Sequence, residues 1–148
     1  MNNNCIDISR LSCYEVFRLT PVELQSLSKQ QIDEFTGYQF QELTPTQVNS
    51  FTPGQFSSFS KYLLKCFTCY QLSCLSECLI QSLCPLQISY LNPYQIPCLT
   101  KSQIECVNLT QMKGFSKWQL SMFDEFQLCC MSELQLEVLF TNNHSEAQ

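Results

Sequence analysis

The chain has 148 residues, enough for one domain with a core of its own, and only 14% of them are charged. Its net charge of -5 is poorly suited to neutralising phosphates, so nucleic acid is not an expected partner. No apolar run approaches membrane-spanning length, and Met1-Asn2-Asn3-Asn4 lacks the charged-then-apolar pattern of a secretory leader.

Residues 3–10 read as a degenerate first unit of a repeat. Asn4, Asp7 and Ile8 hold repeat positions, while Asn3 puts a polar residue where later units are apolar. A polar outer face is what a capping unit needs. From Leu11 to Val138 the chain then runs as sixteen units of eight residues, without insertion or deletion. The consensus is [LF]-[ST]-x-x-Q-[ILVF]-x-x. Counting from Leu11, positions 1 and 6 are apolar in all sixteen units. Position 2 is Ser or Thr in twelve, and position 5 is Gln in twelve. Leu43-Thr44-Pro45-Thr46-Gln47-Val48 shows the pattern plainly. A fixed period over this length means a repeat architecture.

Ser/Thr-x-x-Gln is a capping box. The position-2 hydroxyl accepts from the position-5 N–H, and the position-5 side chain accepts from the position-2 N–H. Position 3 is then the first helical residue. Proline is tolerated there because its missing N–H would be unpaired anyway, and Pro21, Pro45, Pro53, Pro85 and Pro93 all stand at position 3. Positions 1 and 6 become the two partners of a hydrophobic staple. Each unit is therefore predicted to start a helix at position 3, and the next cap keeps that helix within about two turns. One continuous helix is excluded, since an interior proline costs roughly 3 kcal/mol. The two staple side chains of a unit contribute about 3–6 kcal/mol on burial, against about 12 kcal/mol for ordering eight residues. The units must therefore stack. The predicted fold is an all-α repeat superhelix, a solenoid of short capped helices with one continuous core. The alternative is a β-solenoid, against which stand the missing two-residue alternation and the prolines that would remove ladder donors.

Units per turn are open at this level. Position-4 aromatics recur every three units in places (Tyr14, Tyr38, Tyr62; Tyr70, Tyr94, Trp118), whereas position-8 cysteines recur every four (Cys66, Cys98, Cys130; Cys74, Cys106). Leu63 and Leu79, two units apart, replace the position-5 Gln. Residues 139–148 close the chain, with Thr141–Gln148 reading as a polar, frayed tail. No linker divides residues 1–148, so one repeat domain is expected.

The eleven cysteines are odd in number and fill repeat positions. Position 8 carries Cys in five units and Ser in Ser26, Ser50, Ser58 and Ser82. They read as small hydrophobic residues kept as free thiols in a reducing, cytoplasmic compartment. Cys66-Phe67-Thr68-Cys69 with Cys74 and Cys78 is the best metal candidate, since Cys-x-x-Cys spacing suits tetrahedral zinc, but no second well-spaced pair follows it. Nothing near Cys129-Cys130 supplies positive charge to depress a thiol pKa. The single histidine, His144, stands in the tail, and Glu15 and Glu23 occupy capping positions, so no catalytic set is expected and no cofactor.

The best recognition candidates are the position-4 aromatics Tyr14, Tyr38, Tyr62, Tyr70, Tyr94, Trp118 and Phe126. They lie outside the staple pair, and are either a surface row suited to a protein partner or a second core row.

On positions 1, 2, 5 and 6 the array resembles the tandem LTxxQ(V/I)xxL octapeptide repeats of some large bacterial proteins, including proteins of host-associated bacteria. The resemblance covers nearly the whole chain and implies little about activity. Delivery into a host cell, as an effector, follows from it only by analogy. Two similarities are narrower: to periplasmic stress chaperones, whose LTxxQ motif lies in long helices behind a signal peptide, and to TAL effector repeats, which open with a segment like Leu43–Val48 but are several times longer. The expectation is a non-enzymatic scaffold that binds a protein. The rivals are a structural, self-assembling element and a cysteine-based zinc or redox protein.

Overall fold

The structure, a computed structural model, describes residues 5–144. Asn3 and Asn4 of the expected first unit and residues 145–148 of the expected tail lie outside the described residues. Among the described residues the chain is all-helical with no strand, which removes the β alternative.

From Cys13–Phe17 through Glu125–Cys129 the chain is a series of separate helices of four to six residues, one per unit. Thr44 shows why each starts where it does. Its backbone is extended (φ -68, ψ 158), its Oγ1 accepts from Gln47 N at 3.2 Å, and Gln47 Oε1 accepts from Thr44 N at 2.8 Å. Pro45 occupies the first helical position. Each helix ends as the position-1 residue of the next unit turns extended; there Phe51 N donates to Val48 O.

The departures have local causes. Ser60 and Ser76 make only the forward half of the box, because Leu63 and Leu79 have no polar group to return. At Cys84, Gln87 Oε1 still accepts from the backbone N–H at 3.1 Å. Pro93–Cys98 winds as a 3-10 helix, since Pro97 inside it has no N–H for an α-helical bond. The degenerate first unit differs from the others. Residues 5–7 carry no helix, and a single 3-10 turn spans Ile8–Arg10, with Ile8 fully buried. The last helix, Glu133–His144, runs for twelve residues, so residues 141–144 of the expected frayed tail are helical. Phe140 stands where the next cap hydroxyl would be, so no cap interrupts the helix at that point.

Position-1 and position-6 side chains from every unit form one continuous hydrophobic core, from Ile8 to Leu139. Helices pack on the helix three units along. Cys13–Phe17 packs on Gly37–Gln41, which packs on Lys61–Cys66, then Pro85–Tyr90, Leu109–Met112 and Glu133–His144. A second column runs Pro21–Ser26, Pro45–Ser50, Cys69–Ser73, Pro93–Cys98 and Lys117–Leu120. Pro53–Phe56, Glu77–Gln81 and Lys101–Cys106 form a third.

The position-5 glutamine joins the cap to this packing. In Gln103, Oε1 accepts from Thr100 N at 2.9 Å, and Nε2 donates to Leu72 O at 2.8 Å and Leu75 O at 2.9 Å, 31 and 28 residues back. The same two offsets recur at Gln39, Gln47, Gln55, Gln71, Gln87, Gln95, Gln111, Gln119, Gln127 and Gln135. The position-1 carbonyl lies just before its own helix, so no donor within that helix reaches it. The amide three units on supplies one.

Candidate functional site

Position 4 is the second residue of each helix and points away from the staple pair. All seven aromatics expected as a recognition row are exposed, from 56% at Tyr62 to 84% at Phe126, so the second-core-row alternative does not hold. The three-unit packing sorts them. Tyr14, Tyr38 and Tyr62 stand on successive helices of the first column, continued by exposed Leu86 and Leu134. Tyr70, Tyr94 and Trp118 stand on successive helices of the second, preceded by exposed Val22. In the third column the same position is Gly54, Cys78 and Ser102. Phe126 lies on the later helix Glu125–Cys129. The aromatic surface is thus two ridges separated from a face of small residues.

Polar contacts hold parts of these ridges. Tyr62 Oη accepts a 2.8 Å hydrogen bond from Gly37 N, the first helical residue below it. A Cβ on Gly37 would lie 3.1 Å from that hydroxyl, so glycine makes room for the crossing. Thr36, Gly37, Tyr38, Gln41 and Tyr62 line the groove between the two helices. The Arg18 guanidinium lies 5.7 Å from the centre of the Tyr14 ring, within reach of its negative face.

The cysteines do not behave as a uniform set of free thiols. Cys69 and Cys98 form a disulfide, with Cα atoms 5.2 Å apart. They sit at position 3 of one unit and position 8 of the unit three along, 29 residues apart. The same pair of positions brings Lys61 Nζ to 5.3 Å from the Tyr90 ring, Cys106 Sγ near Glu77 O, and Gly114 against Pro85. Small residues at position 8 therefore answer to the position-3 residue of a neighbouring helix, not to one another. Cys66, Cys74 and Cys78 remain free, and among the described residues no group of three or more His, Cys, Asp or Glu is placed to hold a metal ion. The Cys66–Cys78 candidate is not assembled, because its members fall on different helices and Cys69 is already paired. Burial raises the pKa of Cys66, partly offset by a hydrogen bond from Tyr62. Burial, and then the Glu77 charge, raises that of Cys106. Both shifts reduce the thiolate fraction at neutral pH.

Glu15 and Glu23 cap as expected. In each, Oε2 accepts from the backbone N–H and the hydroxyl of Ser12 or Thr20, all at 2.8 Å. The backbone bond, then the hydroxyl bond, lowers the pKa of each carboxyl. The residues that sequence reasoning undervalued are the glutamines, read there as caps alone. The signal was present: Glu serves a capping box as well as Gln does, yet it occurs only in the first two units. A requirement for an N–H donor explains that bias.

No helix among the described residues is long and apolar enough to cross a membrane. Comparison of the chain with protein-family models, curated proteins and solved structures finds no match.

Proposed function

We propose that this chain is a non-enzymatic repeat scaffold, wound as a solenoid of between three and four units per turn, that binds another protein through its exposed position-4 aromatics. Support comes from one observation: seven large aromatic side chains stand exposed at a single repeat position, and six of them fall on two ridges. Aromatics scattered singly over a surface need no explanation, but a contiguous exposed set marks an interaction site. Tyrosine and tryptophan are also the side chains that most often anchor protein interfaces. The winding is supported by the offsets of 28 and 31 residues at which glutamine side chains meet backbone carbonyls, in a chain whose unit is eight residues.

The test is a surface variant combining Tyr38→Ser, Tyr94→Ser and Trp118→Ser. These side chains are exposed, so thermal stability is expected to hold within about 0.5 kcal/mol per site. Affinity capture from the native cell, run in parallel with both chains, is expected to recover partners with the original and lose them with the variant. Equal recovery would refute the assignment of the ridges.

A further inference from the structure

The Cys69–Cys98 bond joins two helices that carry neighbouring aromatics of the second ridge. Cys69 opens Cys69–Ser73 and is followed at once by Tyr70. Cys98 closes Pro93–Cys98, and its Sγ lies 3.8 Å from Tyr94 O. Pro93–Cys98 is weakly held from within, since Pro97 has no N–H and Tyr94 O loses the i+3 donor that a 3-10 helix would give it. The end of this helix also differs from its equivalents. Three position-7 amides donate forward to position-8 carbonyls 25 residues on: Gln41 to Cys66 O at 3.1 Å, Asn49 to Cys74 O at 2.8 Å and Gln81 to Cys106 O at 3.4 Å. The residue in that place before Cys98 is Ser73, whose hydroxyl donates to Tyr70 O at 3.0 Å instead. The disulfide stands where the amide clamp would be.

The packing does not require the bond. Gly37 with Cys66, Glu77 with Cys106 and Pro85 with Gly114 meet in the same register without one. Gln95 Nε2 also ties Pro93–Cys98 down, donating to Leu64 O at 3.1 Å and Phe67 O at 3.0 Å. Nor is the bond shielded: Cys69 is exposed and Cys98 is half-buried. Exposed disulfides are the labile and regulatory ones. We propose that Cys69–Cys98 is a reversible redox latch on the second ridge. Closed, it holds the Tyr94 helix onto the Tyr70 helix; opened by a low-molecular-weight thiol, it frees the end of Pro93–Cys98 and weakens the binding of a protein partner there. The effect on binding rests on the ridge reading above, and the latch itself does not. In opening, the small thiolate attacks the exposed Cys69 Sγ, the S–S bond breaks, and Cys98 leaves as a thiolate and takes up a proton. A second small thiolate attacks the small-molecule sulfur of the mixed disulfide, and Cys69 is released and protonated in turn. Two electrons and two protons pass from the two small thiols, which end as their own disulfide; closing is the reverse, with that disulfide as oxidant. Cys66, the thiol nearest to Cys69 in the sequence, does not compete. It faces Gly37 on another helix, and burial raises its pKa, which keeps its thiolate fraction low.

The experiment compares the oxidised chain, the same chain in excess reduced glutathione, and Cys98→Ser by amide hydrogen exchange read by mass spectrometry. Residues 94–98 are expected to exchange about tenfold faster in both opened forms, while Gly37–Gln41 and Leu109–Met112 change by less than about twofold. Alkylation after unfolding is expected to count two more thiols in reduced glutathione than in the oxidised chain, and to lose them again in oxidised glutathione. A bond that resists excess reduced glutathione overturns the latch, as does equal exchange of residues 94–98 in closed and opened forms. Loss of protection along the whole chain on opening also overturns it, because the bond would then be a requirement of the fold. Affinity capture with the oxidised chain, Cys98→Ser and the ridge variant of Tyr38, Tyr94 and Trp118 tests the effect on binding. Recovery is expected to fall at least about threefold with Cys98→Ser and to vanish with the ridge variant. If only the ridge variant loses partners, the latch does not control binding. If all three recover partners equally, the ridge reading fails, and hydrogen exchange alone decides the latch.

Discussion

Glutamate at position 5 is expected to stabilise the first two units and to destabilise any unit whose position-5 side chain meets carbonyls 28 and 31 residues back. Gln103 makes the contrast measurable. It is 2% exposed and holds three bonds: from Thr100 N, and to Leu72 O and Leu75 O. In Gln103→Leu all three are lost, at about 1 kcal/mol each. Leu72 O keeps the bond from Leu75 N, so the groups left bare are Thr100 N and Leu75 O, and the expected cost is about 3 kcal/mol. In Gln103→Glu the cap bond survives, but an ionised oxygen replaces the donor 2.8–2.9 Å from two carbonyl oxygens. A buried charge without a partner costs about 3–5 kcal/mol. At neutral pH the glutamate variant is therefore expected to be the less stable of the two, although it is closer in shape to the original. Its pH dependence has a definite sign. Burial and carbonyl dipoles raise the folded-state pKa, so the charge penalty is absent below the unfolded carboxylate value of about 4.3, grows as pH rises towards the folded value, and is constant beyond it. Protonation restores one O–H donor and should recover about 2–3 kcal/mol, which at about 1.4 kcal/mol per unit spreads the change over about two pH units. Urea unfolding followed by circular dichroism at pH 4 and pH 7 measures both. If the glutamate variant at pH 7 matches the original, or falls short of it by less than the leucine variant does, the side-chain amide does not hold helices three units apart together.

Adjacent leucines give a second discrimination. Leu63→Gln restores the consensus, with Phe35 O and Ser60 N in place to meet the amide, and is expected to change stability by no more than about 1 kcal/mol; Leu64→Gln, one residue on at staple position 6, leaves its amide without built partners and should cost about 3 kcal/mol or more by chemical denaturation. Glycines separate in the same way. A Cβ on Gly114 would lie 2.2 Å from Pro85 O, backbone that cannot swing aside, so Gly114→Ala is expected to lower stability by about 3 kcal/mol, whereas Gly54→Ala meets nothing closer than Thr52 Oγ1 at 3.9 Å and should raise it by about 0.5–1 kcal/mol in the same melting assay.

Helix starts were readable because a capping box is local: Thr44, Pro45 and Gln47 meet within one turn whatever surrounds them. The degenerate unit before Leu11 has no full box, and there the described residues form only the 3-10 turn Ile8–Arg10. Which helices pack on which was not readable, and the two competing periodicities show why. Aromatics at three-unit spacing report the columns, since helices three units apart are the ones that pack. Cysteines at four-unit spacing report nothing of the kind. Cys66 answers to Gly37, Cys98 to Cys69 and Cys106 to Glu77, each a position-3 residue three units earlier. A disulfide between positions 3 and 8 could not be drawn until that relation was known. The exposure of Tyr38 or Trp118 was likewise undecidable, because a helix of five residues has too little length to define an amphipathic face of its own.

Leu63 and Leu79 carry the same logic one step further. At the recurring offsets they look back on Ile32 and Phe35, and on Val48 and Phe51, and they offer those carbonyls no donor. Both leucines are buried, so the position keeps its place in the core while losing its polar role. The loss coincides with the densest aromatic packing in the chain. Phe40 meets Phe67 edge-on at 5.0 Å, Phe51 meets Phe59 at 5.2 Å, and Phe56 lies 4.7 Å from Phe59. Aromatic pairs of this kind contribute about 0.5–1.5 kcal/mol beyond the area they bury, comparable to the net value of the hydrogen bonds forgone. Helices three units apart are therefore held in two ways, by a glutamine reaching to a carbonyl or by phenylalanine rings from successive staples. The second is available only where position 1 is large. Where the position-1 residue three units earlier is leucine, as Leu83, Leu91 and Leu99 are for Gln111, Gln119 and Gln127, the side-chain amide is the contact that cannot be given up, and there position 5 is glutamine without exception.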